Sequence, residues 1–315
     1  MKKLIMLSFV PILLAGCGKT PEHSDPKVAY KDWKYLCPVQ APAIAMAEFA
    51  QYKGFETTTQ PGNIPTEMAT SKYDVVVAPT NVGITAIKAG APYKILSTIT
   101  FGNFYIASTG HDEDEMMGAD DYIVGFQKPG VPGKVLSYVY GTTMLNSIDF
   151  WGASSAAIQG CLETGINASD SNKEVDYVVI AEPSLTAALQ VNSNAFIYDD
   201  LQSKYNMKSG GLIMTQASVF VKNSLNKKDV KEVFMPKLES SIKGYLNDSN
   251  KLKAAMNKVD DPDTTFATDV NLAAEITKKG NKMGFGFKES AKIKDDLNQF
   301  LEIMGLEPIT DENIA

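Results

Sequence analysis

Short β-branched or aromatic runs alternate with longer stretches whose apolar residues recur at helical spacing, from Lys27 to the end of the chain. Residues 32–36 and 55–59 read as strands flanking an alanine-rich amphipathic helix over 41–52, opened by Pro42. The unit repeats as strand 73–78, helix 81–89 closed by Gly90, and strand 94–100. Through the middle of the chain, strands 123–125, 149–151 and 175–180 alternate with helices 132–140 and 154–163. The last third is helix-rich, with helical spacing over 227–247, 250–259, 268–279 and 288–304. This alternation predicts an α/β protein with mostly parallel sheets flanked by helices, because parallel strands need crossovers long enough to hold a helix.

Two places depart from the alternation. Gly102 and Asn103 interrupt a strand-like run over 98–108, ahead of a loop-like acidic segment from His111 to Asp121. Within 208–221, Gly210 and Gly211 precede a new apolar run. If the chain passes between two lobes at both places, glycine and asparagine there absorb hinge-bending dihedral changes; as plain turn residues they explain the local pattern equally well. The crossover reading gives a first lobe from 27–101 and 209–315, with a second lobe, 102–208, inserted into it.

The chain opens with Lys2 and Lys3, an apolar run over 4–14, and Leu14-Ala15-Gly16-Cys17. A basic start, a short apolar core and small residues at the end make 1–16 a secretory signal, and the run is well below the ~20 residues of a spanning helix. The segment resembles the bacterial lipoprotein box. That resemblance implies that Cys17 receives a diacylglyceryl group, becomes the mature N-terminus and anchors the protein by lipid at the extracytoplasmic face of the cell membrane. The polar residues of 17–26, with Pro21, read as a flexible tether.

Charge narrows the partners. A net charge of −7 with scattered lysines excludes a nucleic-acid partner, which needs a basic face. All 30 basic residues are lysine. Without arginine's bidentate fork, an anionic ligand must be held by lysine, hydroxyls or backbone N–H groups. Beyond Cys17 only Cys37 and Cys161 remain, either as one bridge or as two free buried thiols, the second being favoured. Histidine-based acid–base chemistry lacks a placed candidate, since only His23, in the tether, and His111 occur. Neither Gly-x-Ser-x-Gly nor a phosphate-binding glycine loop is present. The run His111-Asp112-Glu113-Asp114-Glu115 reads as a solvated acidic loop ahead of a cation site. No catalytic residue, metal or cofactor is therefore expected.

Candidate binding chemistry lies where strands run straight into helix starts: at Pro38-Val39-Gln40-Ala41-Pro42, Pro79-Thr80-Asn81-Val82, the 125–132 segment and Ala181-Glu182-Pro183-Ser184. Such turns aim backbone N–H groups at a ligand, although each one alone is better explained by helix capping.

The order of Pro38-Val39-Gln40-Ala41-Pro42-Ala43, the 73–81 segment, Phe101-Gly102-Asn103-Phe104-Tyr105, the 175–183 segment and the 211–217 segment resembles one branch of the type II extracytoplasmic substrate-binding proteins of bacterial ABC importers. That branch includes nitrate, sulfonate and taurine binders and binders of thiamine-pyrimidine precursors. The resemblance implies a two-lobed type II periplasmic-binding-protein fold, hinge crossed twice, that binds a small molecule in the cleft, closes on it and presents it, as a monomer, to an ABC permease. The ligand residues it implies are Val39, Gln40, Ala41, Thr80, Asn81, Phe101, Asn103, Gln127, Gly130, Glu182 and Gln216. Glu182 either accepts from the ligand or braces its own turn, and bracing is the commoner role. Missing arginine disfavours strong anions, while Phe101, Phe104, Tyr105, Tyr140 and Trp151 offer rings near strand ends; core packing competes for those rings. A heteroaromatic, thiamine-precursor-like ligand is thus expected, with a sulfonate or nitrate held by lysine and helix N-termini as the alternative. The same fold also serves thiamine-pyrimidine synthases and some deoxyfutalosine-pathway enzymes; the synthases carry a cysteine-rich iron motif, and this chain has no cluster of cysteines. A sensor without a transporter fits the same residues.

Overall fold

Most apolar runs become strands, and in the larger sheet alternate residues feed cores on opposite faces. The computed structural model describes residues 29–110, 118, 120–126, 128–150 and 154–315. Cys17 and its signal, His23, the 111–115 run, Gln127 and Trp151 lie outside those residues. In chain order the strands are β1 Tyr35–Pro38, β2 Phe55–Thr58, β3 Val75–Pro79, β4 Tyr93–Thr100, β5 Phe104–Ser108, β6 Ile123–Val124 and β7 Ile148–Asp149. They continue as β8 Ile166–Asn167, β9 Asp170–Glu174, β10 Tyr177–Ala181, β11 Phe196–Asp200, β12 Ala217–Lys222 and β13 Phe285–Glu289.

One sheet has the order β13-β4-β12-β3-β1-β2, the other β11-β5-β10-β6-β7, and β8-β9 form a small hairpin. In the first sheet Tyr35, Cys37, Val75, Val77, Val219 and Val221 face one core, while Leu36, Val76, Ala78 and Phe220 face the opposite one. The second sheet packs in its own core around Ile106, Val124, Val179 and Leu185. Cys37 and Cys161 are free and buried in the cores of different sheets, so they form no bridge with each other.

The chain passes between the sheets twice, at 101–103 between β4 and β5, and before β12. These passages account for a departure from mostly parallel sheets. Strands β1, β2 and β3 pair in parallel, as do β10, β6 and β7, but β12 runs antiparallel to β3 and β4, and β5 antiparallel to β10 and β11. A strand entered directly from the other lobe starts at the end where helix-connected strands finish, so it must run against them. Gly102 sits in the first passage at φ 101°, and a Cβ there would lie 2.5 Å from Gln202 Cγ. Gly210 and Gly211 instead end the helix Leu201–Lys208, with Gly211 N–H donating to Asn206 O at 2.8 Å, which is the turn role.

Other differences are local. The helix expected over 41–52 divides into Ala41–Ala45 and Ala47–Ala50, because Met46 N–H turns tightly onto Pro42 O and Ala43 O. The first strand starts later than expected, since Tyr30 and Trp33 leave the ladder to pack on Phe234. The helix expected over 288–304 is Lys294–Ile303, and the residues before it supply β13 at the free edge beside β4. Among the described residues no helix is long and apolar enough to cross a membrane.

Candidate functional site: a cleft between the two sheets

Strands β1 and β3 end, and β12 begins, at one end of the first sheet; β10 ends and β5 begins at the facing end of the second. Between these ends lies a cavity of about 480 Å³. The first sheet contributes residues 38–42, Thr58, Thr59, Pro79 and Ala217; the second contributes Phe104, Phe126, Val131, Pro132 and Ala181; Asn103 and Gln216 come from the two passages. None of the described lining residues carries a charge.

Donors replace charge there. The helix Val131–Tyr140 starts at the cleft behind Gly130, and the helix Ser155–Thr164 starts there with Ser154, Ser155 and Ala156 in the wall. Ser154 caps its helix by accepting from Ala157 N–H at 3.2 Å, and Ser155 Oγ lies 3.1 Å from Ser184 Oγ. The N–H groups of a first helical turn have no partner within the helix, and they carry the positive end of its dipole. Gln40 approaches from the other side with φ 65° and ψ −139°, a conformation that glycine tolerates and other residues rarely adopt. Its N–H is held by Phe266 O at 2.8 Å while its C=O accepts from Ile44 N–H at 2.9 Å.

At the junction of the passages, Asn103 Nδ2 donates to Glu182 O at 2.9 Å and Gln216 Nε2 donates to Asn103 Oδ1 at 3.0 Å. Glu182 N–H donates back to Asn103 O at 3.0 Å. The Glu182 carboxylate points elsewhere, accepting from Thr186 N–H at 3.0 Å and Thr186 Oγ1 at 2.7 Å. Burial pushes its carboxyl above the usual carboxylate range, although both Thr186 hydrogen bonds oppose that.

Of the eleven ligand residues expected from the sequence, Val39, Gln40, Ala41, Asn103 and Gln216 line the cavity. Gly130 caps the helix whose next two residues line it. Thr80 is fully buried with its hydroxyl 2.8 Å from Ser218 Oγ, and Asn81 is absent from the lining. Phe101 packs on the outer face of the first sheet near Ile213, and Glu182 braces its own turn. Gln127 lies outside the described residues. Of the four candidate rings among the described residues only Phe104 reaches the cavity: Tyr105 donates its hydroxyl to Lys282 O at 3.0 Å and Tyr140 hydrogen-bonds Asp199; Trp151 lies outside the described residues. Sequence reasoning missed Phe126, Thr58, Thr59, Ser154 and Ser155. The signal for Ser154 was available, a serine placed to cap a helix just after a strand; Phe126 lay within an expected segment, with nothing to mark its ring.

No family model and no curated protein matches the chain. Its fold is nevertheless shared with solved structures. An ABC transporter structure from Parabacteroides distasonis superposes with a TM-score of 0.70 at 16% identity, covering 90% of this chain and 98% of that one. The ligand-binding component of an ABC-type import system from Staphylococcus aureus, with zinc bound, gives 0.61 at 10% identity over 90% and 95%. The alkanesulfonate-binding protein SsuA from Xanthomonas axonopodis pv. citri, bound to MOPS, gives 0.59 at 13% identity over 88% and 94%. The chain therefore has the two-lobed fold of periplasmic binding proteins.

Proposed function

We propose that this chain is the extracytoplasmic solute-binding component of an ABC importer, anchored to the membrane through Cys17, and that it captures a small molecule between lobes 27–101 plus 209–315 and 102–208. The observation that carries the reading is the cavity of about 480 Å³, uncharged among its described lining residues, between the facing strand ends of two sheets joined by two passages. A ligand held by groups from both sheets favours the closed arrangement, and a permease can read that shape. No pair of acid and base side chains meets in the described lining, so the site is suited to binding rather than to turnover.

The lining also bears on the ligand. Among the described lining residues a cation finds no carboxylate, and Glu182 is engaged with Thr186. The first-turn N–H groups of Val131, Ser155 and Ala156, at the starts of the two second-lobe helices, suit an acceptor-rich head, while Phe104 and Phe126 offer an apolar wall. These features support a short organic oxyanion of the sulfonate class. A neutral heteroaromatic compound is the second reading, favoured by the Phe104 and Phe126 rings with centroids 6.2 Å apart.

Melting-shift titration with small sulfonates and with neutral pyrimidines tests both readings. The expected result is stabilisation that grows as RT ln(1 + [L]/Kd), with the probe recovered unchanged. Chemical conversion of the probe would replace the binding role with an enzymatic one, and no shift with either class would remove both ligand assignments.

A further inference from the structure

We infer that a lysine-rimmed hollow at the far end of the first sheet rests on the anionic phospholipid headgroups of the membrane. This goes beyond the solute-binding role proposed above and rests on its anchor at Cys17. The hollow has a volume of about 290 Å³. Lys94, Lys222, Lys227 and Lys231 line it together with Asn223, and no aspartate or glutamate does. Leu225, Val230 and Ile314 give the remaining lining an apolar character. In a chain of net charge −7 this is a local exception, and the lining stays positive even with a terminal carboxylate counted at Ala315. Two of the lysines are engaged: Lys222 Nζ donates to Ser71 O at 2.7 Å, and Lys231 Nζ lies 3.6 Å from Glu289 Oε1. Lys94 and Lys227 have no carboxylate within ion-pair distance among the described residues. The acidic residues nearest Lys231 in the chain, Asp229 and Glu232, are outside the lining, and Glu232 leans toward Lys228 at 3.9 Å. Two unpaired ammonium groups beside apolar surface suit a phosphate on an acyl-bearing molecule.

The place of the hollow in the fold points to the membrane as that partner. Lys222 ends β12, a strand that begins at the cleft, and Lys94 stands near the start of β4, which runs antiparallel beside it. The hollow therefore lies at the end of the first sheet away from the cleft. The described chain starts close to it. The turn Ala29–Asp32 packs on the helical segment Asp229–Phe234, with the Tyr30 and Trp33 ring centroids 6.4 and 5.4 Å from that of Phe234. The same segment carries Val230 and Lys231 of the hollow. The positions from Cys17 to Ala29 reach at most about 40 Å when fully extended. A lipid on Cys17 thus keeps this end of the first lobe within reach of the bilayer, at an effective concentration that populates a weak contact. Each lysine close to an anionic leaflet adds about five-fold to binding. Held this way, the protein leaves its cleft open to solute.

Co-sedimentation of the full chain with phosphatidylcholine vesicles, with and without about 30% phosphatidylglycerol, is the test. Binding to the anionic vesicles is expected to be about twenty-fold or more tighter at low salt and to fall toward the neutral value in about 0.5 M salt. Lys94→Gln combined with Lys227→Gln should remove about ten-fold or more of that preference. Lys173→Gln combined with Lys208→Gln makes the same charge change at exposed positions of the second lobe and should remove about two-fold or less. The start of the chain is common to all variants, so its contribution cancels in the comparison. A wild-type chain without the preference, a preference that survives the first pair, or an equal loss with both pairs would overturn the inference. Should the first pair not fold, Lys227→Gln alone, at an exposed position, is expected to lose about five-fold, and no loss would overturn the inference equally. Stabilisation of the chain by glycerol 3-phosphate without vesicles, absent from the first pair, would make the hollow a site for a soluble phosphate ester and overturn the membrane assignment. Lipid on Cys17 is read separately, by detergent partition of Cys17→Ser, so failure of the anchor and failure of the hollow are distinguishable.

Discussion

Gln216 Nε2 donates to Asn103 Oδ1 at 3.0 Å, so one hydrogen bond ties together the two segments by which the chain passes between its sheets. Asn103 is 5% exposed and also holds Glu182 O. Asn103→Ala is expected to destabilise the fold by about 1–3 kcal/mol, because it leaves a buried carbonyl and a buried amide without partners. Urea unfolding measures this; an unchanged midpoint would show that water replaces the side chain without loss.

Gln40 presents the opposite situation, a residue whose backbone works against stability. At φ 65° it is held in a conformation that costs a non-glycine residue about 1–3 kcal/mol. Gln40→Gly should remove most of that cost while adding about 0.4–1 kcal/mol of unfolded-chain entropy, for a net gain in stability. The expected outcome is a higher urea midpoint with weaker ligand binding. A lower midpoint would show that the side chain contributes more to the fold than its backbone costs.

Glu182 makes stability depend on pH. Burial raises its carboxyl pKa in the folded state, so its contribution is present below the unfolded value of about 4.3 and is lost as pH rises through the folded value. Glu182→Gln removes the ionisation and keeps an acceptor for Thr186. Relative to wild type, the variant should gain in melting midpoint as the medium goes from acid to neutral. If wild type gains instead, the Thr186 hydrogen bonds outweigh burial.

Ser154→Ala removes the cap of the helix Ser155–Thr164 and is expected to cost about 1 kcal/mol by chemical denaturation. Because Ser154 also lines the cavity, small-sulfonate affinity should fall beyond what the stability loss explains. Affinity equal to wild type would remove that helix start from the ligand's contacts.

Cys17→Ser tests the anchor. In detergent phase separation of whole cells, the wild-type chain should enter the detergent phase and the variant the aqueous phase. Equal partition would leave Cys17 without a lipid.

How far the sequence could be read is clearest where neighbouring residues met different fates. Thr80 and Gln40 both follow a strand end and both are polar. Thr80 is closed off by Ser218, which arrives from β12 some 138 positions later, whereas Gln40 is forced to face the cavity by its own backbone. Phe101 and Phe126 are equally apolar, yet Phe101 packs near Ile213 and Phe126 lines the cavity. Glu182 found its partner four residues away, so bracing was legible; that its backbone carbonyl would set the Asn103 amide was not.

Alone, the sequence determined the alternation of strands and helices, the two breaks near Gly102 and before β12, and the lack of arginine. Those features are local: they depend on side-chain period, turn chemistry and composition within a short window. The tertiary structure decided the direction of β5 and β12 and the five expected residues that line the cavity. Each of these is set by where one sheet lies against the other, through contacts between residues tens to more than a hundred positions apart, and no short window of sequence carries that information.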